Sequence, residues 1–200
     1  MNATITSTAH YVPEKVLTNS DLEKLVDTSD EWIKSRVGIN QRHVVSDGEA
    51  SSDMSTKVAH SLLEKRGISA ANIDVIIIGT VTPDHPTPST AAIVQNNINA
   101  ENAWAFDLSA ACSGFLYALE TGAKFIESGQ YKTIMVIGVD TMTSILDFED
   151  RETCIIFGDG AGGVILEASK SNTGILGSVL KTDCLLYTSD AADERSSVDL

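Results

Sequence analysis

The sequence predicts an α/β protein: a mostly parallel sheet lying between helices, with an antiparallel edge. Three short apolar runs, at 74–79, 103–108 and 133–138, alternate with two helical patterns at 89–98 and 113–127. Repetition of strand and helix in this order closes into a parallel sheet through right-handed crossovers. The run DVIIIG at 74–79 carries four consecutive β-branched residues, as a central strand buried on both faces requires.

Taken from the N-terminus, residues 3–10 alternate Ala and Ile with Thr and Ser and stop before Pro13, which reads as a strand entering a turn. Asn19 or Ser20 offers a cap for a helix through Leu22, Leu25 and Val26, and 30–36 forms a further helical turn ended at Gly38. The opening region is therefore expected to be a compact helical lead-in. Met54, Val58, Leu62 and Leu63 recur at near-helical spacing over 52–66, with Gly67 as the stop signal. Pro83, Pro86 and Pro88 make 82–88 a loop before the helix at 89–98. Near the C-terminal side, 154–157 and 164–167 read as two strands around a glycine-rich turn at 158–163, which supplies the antiparallel edge. Those glycines lack the following Lys of a phosphate loop and do not open onto a helix, so turn geometry is their expected purpose. A new strand is expected over 174–180.

Composition removes several classes of function. With 28 acidic and 14 basic residues the formal charge is −14, which repels nucleic-acid phosphates and anionic lipid surfaces. No stretch of about 18 apolar residues occurs, and the first ten residues lack a basic-then-apolar layout. A cytoplasmic protein with no membrane or nucleic-acid partner is expected. The three cysteines, Cys112, Cys154 and Cys184, form no CxxC pair, so neither a disulfide framework nor a zinc site is indicated.

Cys112 is the residue with chemical promise. It follows an apolar strand, sits among Ala110, Ala111, Ser113 and Gly114, and opens a helix whose buried stripe is Phe115, Leu119, Ala123 and Ile126. A thiol at a helix start meets the positive end of the dipole and unpaired N–H groups, which favour its thiolate. The surrounding small residues leave room for a substrate, and the Cys112 N–H is suited to an oxyanion hole. Cys154, inside an apolar run with no helix start beside it, reads as an inert buried cysteine.

Four separated motifs, AFDLSAACSGFLYAL at 105–119, VDTSDEWI at 26–33, RVGI at 36–39 and IIFGDGAG at 155–162, together resemble β-ketoacyl-acyl carrier protein synthase III. The resemblance runs from Ala3 to about Asp183 and implies the N-terminal half of a thiolase-like condensing enzyme. On it, 1–170 form that half, 171–183 begin the second half, and 184–200 stand apart. The stretch CLLYTSDAADE at 184–194 is similar to the translation of a transposase-type sequencing adapter, so 184–200 is expected to be a non-native tail.

The family's activity is acyl transfer from acyl-CoA to the cysteine, then condensation with malonyl-acyl carrier protein with loss of carbon dioxide, initiating fatty acid synthesis. The resemblance makes Cys112 the nucleophile, stacks the CoA adenine between Trp32 and Arg151, and sets Thr28 and Arg36 near the cofactor's polar portions. It implies Met142 and Phe157 in the acyl pocket, and Thr87 where some members carry a bulky aromatic that reaches into the neighbouring subunit. Val37 and Glu152 depart from the Thr and Gly often found beside the CoA site. A homodimer is implied, with no permanently bound cofactor and no metal; acyl-CoA is a substrate. The family's His and Asn, which stabilise the enolate, belong to its second half, and His10, His43, His60 and His85 match neither role. The 200 residues alone are therefore expected to be inactive in condensation. The competing expectations are another thiolase-fold acyltransferase of secondary metabolism, or a non-catalytic acyl-CoA-binding piece.

Overall fold

The computed structural model describes residues 2–169 and 173–182. In chain order its elements are β1 (Asn2–Tyr11), β2 (Lys15–Thr18), α1 (Asn19–Leu22), α2 (Asp30–Arg36), β3 (Gln41–Val44), α3 (Ser51–Arg66), β4 (Val75–Gly79), α4 (Thr90–Asn97), β5 (Trp104–Leu108), α5 (Gly114–Glu127), β6 (Thr133–Thr141), α6 (Arg151–Cys154) and β7 (Asp159–Ser169), with short 3-10 turns between some of them.

The sheet has the order β1-β7-β6-β4-β5. Strand β4 runs parallel to both β5 and β6, whereas β7 is antiparallel to β6 and to β1. The uninterrupted β4 run is explained by two cores. Ile76 and Ile78 pack with Met54, Val58 and Leu62 of α3 and Val94 of α4, while Val75 and Ile77 pack with Ala118, Ala123 and Ile126 of α5. Successive strand side chains point to opposite faces, so both sets must be apolar when helices cover both faces. A strand carboxylate finishes one of these helices: Asp107 of β5 accepts from Thr90 N (2.8 Å) and Ala91 N (2.7 Å), completing the start of α4.

Four expectations need correction. Residues 154–157 form no strand. The Asp150 carboxylate accepts from Glu152 N (2.9 Å) and Thr153 Oγ1 (2.6 Å), which starts the helical turn α6, and Cys154 and Ile155 are buried with Leu22 and Ile33 outside the sheet. The glycines at 160, 162 and 163 lie within the single long strand β7 and make no turn. Gly163 serves close approach, since a Cβ on it would stand 2.8 Å from Val136 O and 2.9 Å from Ile137 Cγ1 of β6. The antiparallel part of the sheet does lie towards one edge, formed by β7 with β1.

The lead-in is not purely helical. β2 and β3 pair antiparallel, Lys15 opposite Val44 through Thr18 opposite Gln41, and α1 ends at Leu22, leaving Leu25 exposed. Residues 174–180 form no strand either: Ile175 N donates to Ala3 O (2.8 Å), and this single bond makes no ladder. The tail expected at 184–200, with Cys184, lies outside the described residues.

Candidate active site

The carboxyl ends of β4, β5 and β6 converge on one side of the sheet, where ligands of open α/β sheets bind. Cys112 stands there, exposed, in the 3-10 turn between β5 and α5. The turn is tight enough that Ala111 takes a positive φ of 47°, a backbone region that side chains disfavour and that gathers at functional sites. The first turn of α5 is let down onto the end of β4 by two glycines in contact: a Cβ on Gly79 would stand 2.8 Å from the Gly114 carbonyl carbon. The strand-to-helix junction that suggested a nucleophile in the sequence thus sets the thiol at the strand ends.

Cys112 lines a cavity of about 720 Å³ shared with Phe115, Met142, Phe157, Val81 and Val139. Its floor is bare backbone, because Gly138 of β6 and Gly160 and Gly162 of β7 contribute no side chains. Met142 and Phe157 are therefore brought to Cys112 from the end of β6 and from the connection between α6 and β7. Thr87 is not among the lining residues and is exposed on the proline loop.

A feature not foreseen from the sequence is Asp140, which also lines the cavity. Its Oδ1 accepts from Val81 N (2.8 Å), Thr82 N (3.2 Å), Thr80 Oγ1 (3.1 Å) and Thr82 Oγ1 (2.9 Å). One carboxylate oxygen thereby pins the segment after β4 that forms the Val81 wall. Asp159 does similar work below, accepting from Thr143 N and Val45 N at 2.8 Å each. Acidic residues at strand ends carry no periodic signal, so only the crossing of chain segments exposes such roles.

The second cluster is on α2 and α6. The Arg151 guanidinium carbon lies 4.5 Å from the centre of the Trp32 ring, a stacking contact between a planar cation and an indole. Ser29 caps α2 by accepting from Trp32 N (3.1 Å), and Arg36, four residues on and exposed, falls on the same side of the helix. The Thr28 hydroxyl oxygen is buried with no hydrogen-bond partner among the described residues. Residues 151–157 join the two clusters, with Arg151 at one end and Phe157 at the other.

The remaining candidates stand outside both clusters. His43 Nδ1 lies 2.6 Å from Pro13 O, and His10, His60 and His85 are exposed. Burial, and then the Asp150 charge, push the Cys154 thiol up from its ordinary value, as befits an inert core cysteine. Among the described residues no group of three or more His, Cys, Asp or Glu is placed to hold a metal ion.

A mixed sheet covered by helices, with a cysteine on a strained strand-to-helix turn opening on an apolar cavity, defines a thiolase-like fold. Residues 106–184 match the family model described as 3-oxoacyl-[acyl-carrier-protein (ACP)] synthase III. The chain is 59% identical over 187 residues to a protein of Chlorobaculum tepidum named beta-ketoacyl-[acyl-carrier-protein] synthase III, covering 92% of this chain and 57% of the relative. The protein of that name from Streptococcus sanguinis is 57% identical over 167 residues, covering 84% and 51%. The crystal structure of 3-oxoacyl-[acyl-carrier-protein] synthase III from Aquifex aeolicus VF5 superposes with a TM-score of 0.82 at 46% identity, over 84% of this chain and 55% of that one. The priming β-ketosynthase of the R1128 polyketide pathway also superposes at 0.82, with 32% identity, over 84% and 51%. Over the residues it shares with them, the chain belongs to the β-ketoacyl-acyl carrier protein synthase III family. It spans about half the length of these relatives.

Proposed function

We propose that the whole protein is an initiating condensing enzyme: it takes an acyl group from acyl-CoA onto Cys112 and joins it to malonyl-acyl carrier protein. The observation that carries this is the exposed Cys112 thiol at the mouth of a cavity walled by Phe115, Met142 and Phe157. The Cys112 thiolate attacks the thioester carbonyl, the carbonyl oxygen takes the negative charge, and the CoA thiolate leaves with the original electron pair. Malonyl-acyl carrier protein then loses carbon dioxide, and the resulting carbanion displaces the Cys112 thiolate to give the β-ketoacyl product. The apolar walls take the acyl chain, and Trp32, Arg151, Arg36 and Thr28 take the nucleotide portion of CoA. Thr87, exposed on its loop, is assigned to the pocket of a neighbouring subunit.

The protein is proposed to act as a homodimer in the cytoplasm. In support, Trp104 on the outermost strand β5 is 42% exposed beside Phe106, Phe125 and Tyr131, and no described helix is long and apolar enough to cross a membrane. The 200 residues themselves are proposed to stop at the acyl-cysteine, because none of their four histidines lines the cavity.

Intact-mass spectrometry after incubation with acetyl-CoA and with longer and branched acyl-CoAs tests the assignment. One acyl mass on the wild-type chain, lost in Cys112→Ala, is the expected result. An adduct that persists in Cys112→Ala, or none at all in the wild type, overturns it. Likeness to the R1128 priming β-ketosynthase favours a second reading in which the starter unit serves polyketide assembly. Preference for a starter longer than acetyl separates the two.

A further inference from the structure

Arg42, on β3, is 3% exposed, and among the described residues no carboxylate lies within ion-pair distance of it. A buried guanidinium without a counter-charge is costly, and burial holds this one below its ordinary value. Its bonds go to two places. Nη1 donates to Asn19 Oδ1, and Nη2 donates to the carbonyl oxygen of Ile155.

Each of those acceptors belongs to one side of the Trp32–Arg151 stack. Asn19 in turn donates through Nδ2 to Asp30 Oδ1 (2.8 Å), the first residue of α2, and to Ile39 O (2.9 Å), just beyond that helix. Ile155 is the residue on which α6, the helix of Arg151, ends. One guanidinium therefore reaches both ends of α2 through a single asparagine and holds α6 directly. Beneath it Leu22, Ile33, Cys154 and Ile155 form an apolar seam between the same helices. The arginine stem lies against Gly158, where a Cβ would come within 2.9 Å of Arg42 Cβ. A non-directional seam permits sliding, whereas a planar fork with two fixed acceptors does not.

We propose that Arg42 is a positioning residue of the nucleotide clamp: it holds α2 and α6 in register so that the Trp32 ring and the Arg151 guanidinium face each other. The inference rests on the assignment of that clamp to the nucleotide portion of CoA. Arg42 touches no substrate, and its effect is confined to donors that carry the nucleotide.

The test compares Cys112 acylation by acetyl-CoA with acylation by acetyl-pantetheine, which lacks the nucleotide, at subsaturating concentrations. The readout is the ratio of the two rates, which a uniform loss of folded protein leaves unmoved. Wild type is expected to prefer acetyl-CoA. Arg42→Met, which keeps the stem without a buried charge, is expected to reduce that preference about five- to tenfold. Arg42→Lys, able to reach one acceptor only, is expected to fall between. Asp30→Ala removes one of the two bonds from Asn19 to α2 and is expected to move the ratio in the same direction by less, while Arg42→Lys, which keeps the charge and one bond, decides the matter if Arg42→Met does not fold. Wild-type preference retained in Arg42→Met and Asp30→Ala overturns the role of Arg42. Wild-type acylation with no preference for acetyl-CoA overturns the clamp assignment, and the role of Arg42 with it.

Discussion

The Arg151 guanidinium stacks directly on the Trp32 ring, 4.5 Å from its centre, so the two groups proposed to take either side of an adenine are in contact with each other. In the proposed clamp, a purine entering between them exchanges one cation–π contact for two stacking contacts. The contact between the two residues is therefore one that binding must break. Titration of CoA by calorimetry is expected to show Arg151→Ala weakening binding only about two- to fivefold, the scale of an exposed cation–π contact. Trp32→Ala is expected to cost more. The double variant should lose more than the sum of the singles, because each single variant also removes the contact that binding must break; strict additivity would show that the contact carries no energy.

Asp140 holds the segment after β4 through four bonds to one oxygen. Removing the carboxylate takes the acceptor from Val81 N and leaves Thr82 N with Thr80 Oγ1 alone, at 3.1 Å. Asp140→Ala is expected to lower stability by about 2–3 kcal/mol, the scale of hydrogen bonds to a charged group. Asp140→Asn, which keeps a carbonyl oxygen, should cost less. Urea unfolding midpoints check the order, and equal losses would reject it.

Gly163 and Gly160 sit three residues apart on β7 but meet different surroundings. A Cβ at Gly163 presses on Val136 O at 2.8 Å, whereas at Gly160 the nearest atom is Val12 Cγ1 at 3.5 Å. Gly163→Ala is expected to destabilise by about 1–3 kcal/mol through overpacking, and Gly160→Ala by much less. A comparable loss at both positions would contradict the close-approach account.

The two described cysteines differ in access. Cys112 is exposed and Cys154 buried, so iodoacetamide is expected to modify Cys112 in the folded chain and Cys154 only on unfolding, as peptide mapping reads directly. Burial, then Asp150, raises the Cys154 thiol in the fold, so the folded state holds this proton more tightly than the unfolded one. Its linkage term is absent below the ordinary cysteine value of about 8.5 and lowers stability as pH rises above it. Cys154→Val should flatten that alkaline slope in urea midpoints; an unchanged slope would reject the linkage.

Met142 and Phe157 wall the cavity beyond Cys112. Met142→Trp reduces its volume and is expected to slow acylation by longer acyl-CoAs while sparing acetyl-CoA. Intact-mass time courses compare the two, and equal slowing would remove Met142 from the acyl wall.

The strands at the heart of the sheet and the helices α3, α4 and α5 were legible in the residues, because burial on one face or two imposes period and length on the side chains. Cys112 was legible for a related reason: an apolar strand that ends in small residues and runs into an amphipathic helix describes the turn it occupies. The segment 151–163 was misread. Apolar Cys154, Ile155 and Phe157 look the same in a sequence whether they face a sheet, a seam between helices or a cavity. The β7 glycines look the same whether they turn the chain or let β6 approach.

By itself the sequence determined the α/β class, the buried central strand and the junction that carries Cys112, since each depends on neighbours along the chain. Only the tertiary structure decided that Met142 and Phe157 share a cavity with Cys112, that Trp32 meets Arg151, and that Asp140 and Arg42 each hold segments distant in sequence. Those relations join residues tens to more than a hundred positions apart, and a hydrogen bond or a stack across such a gap depends on where the sheet brings the segments, which leaves no period in the chain to be read.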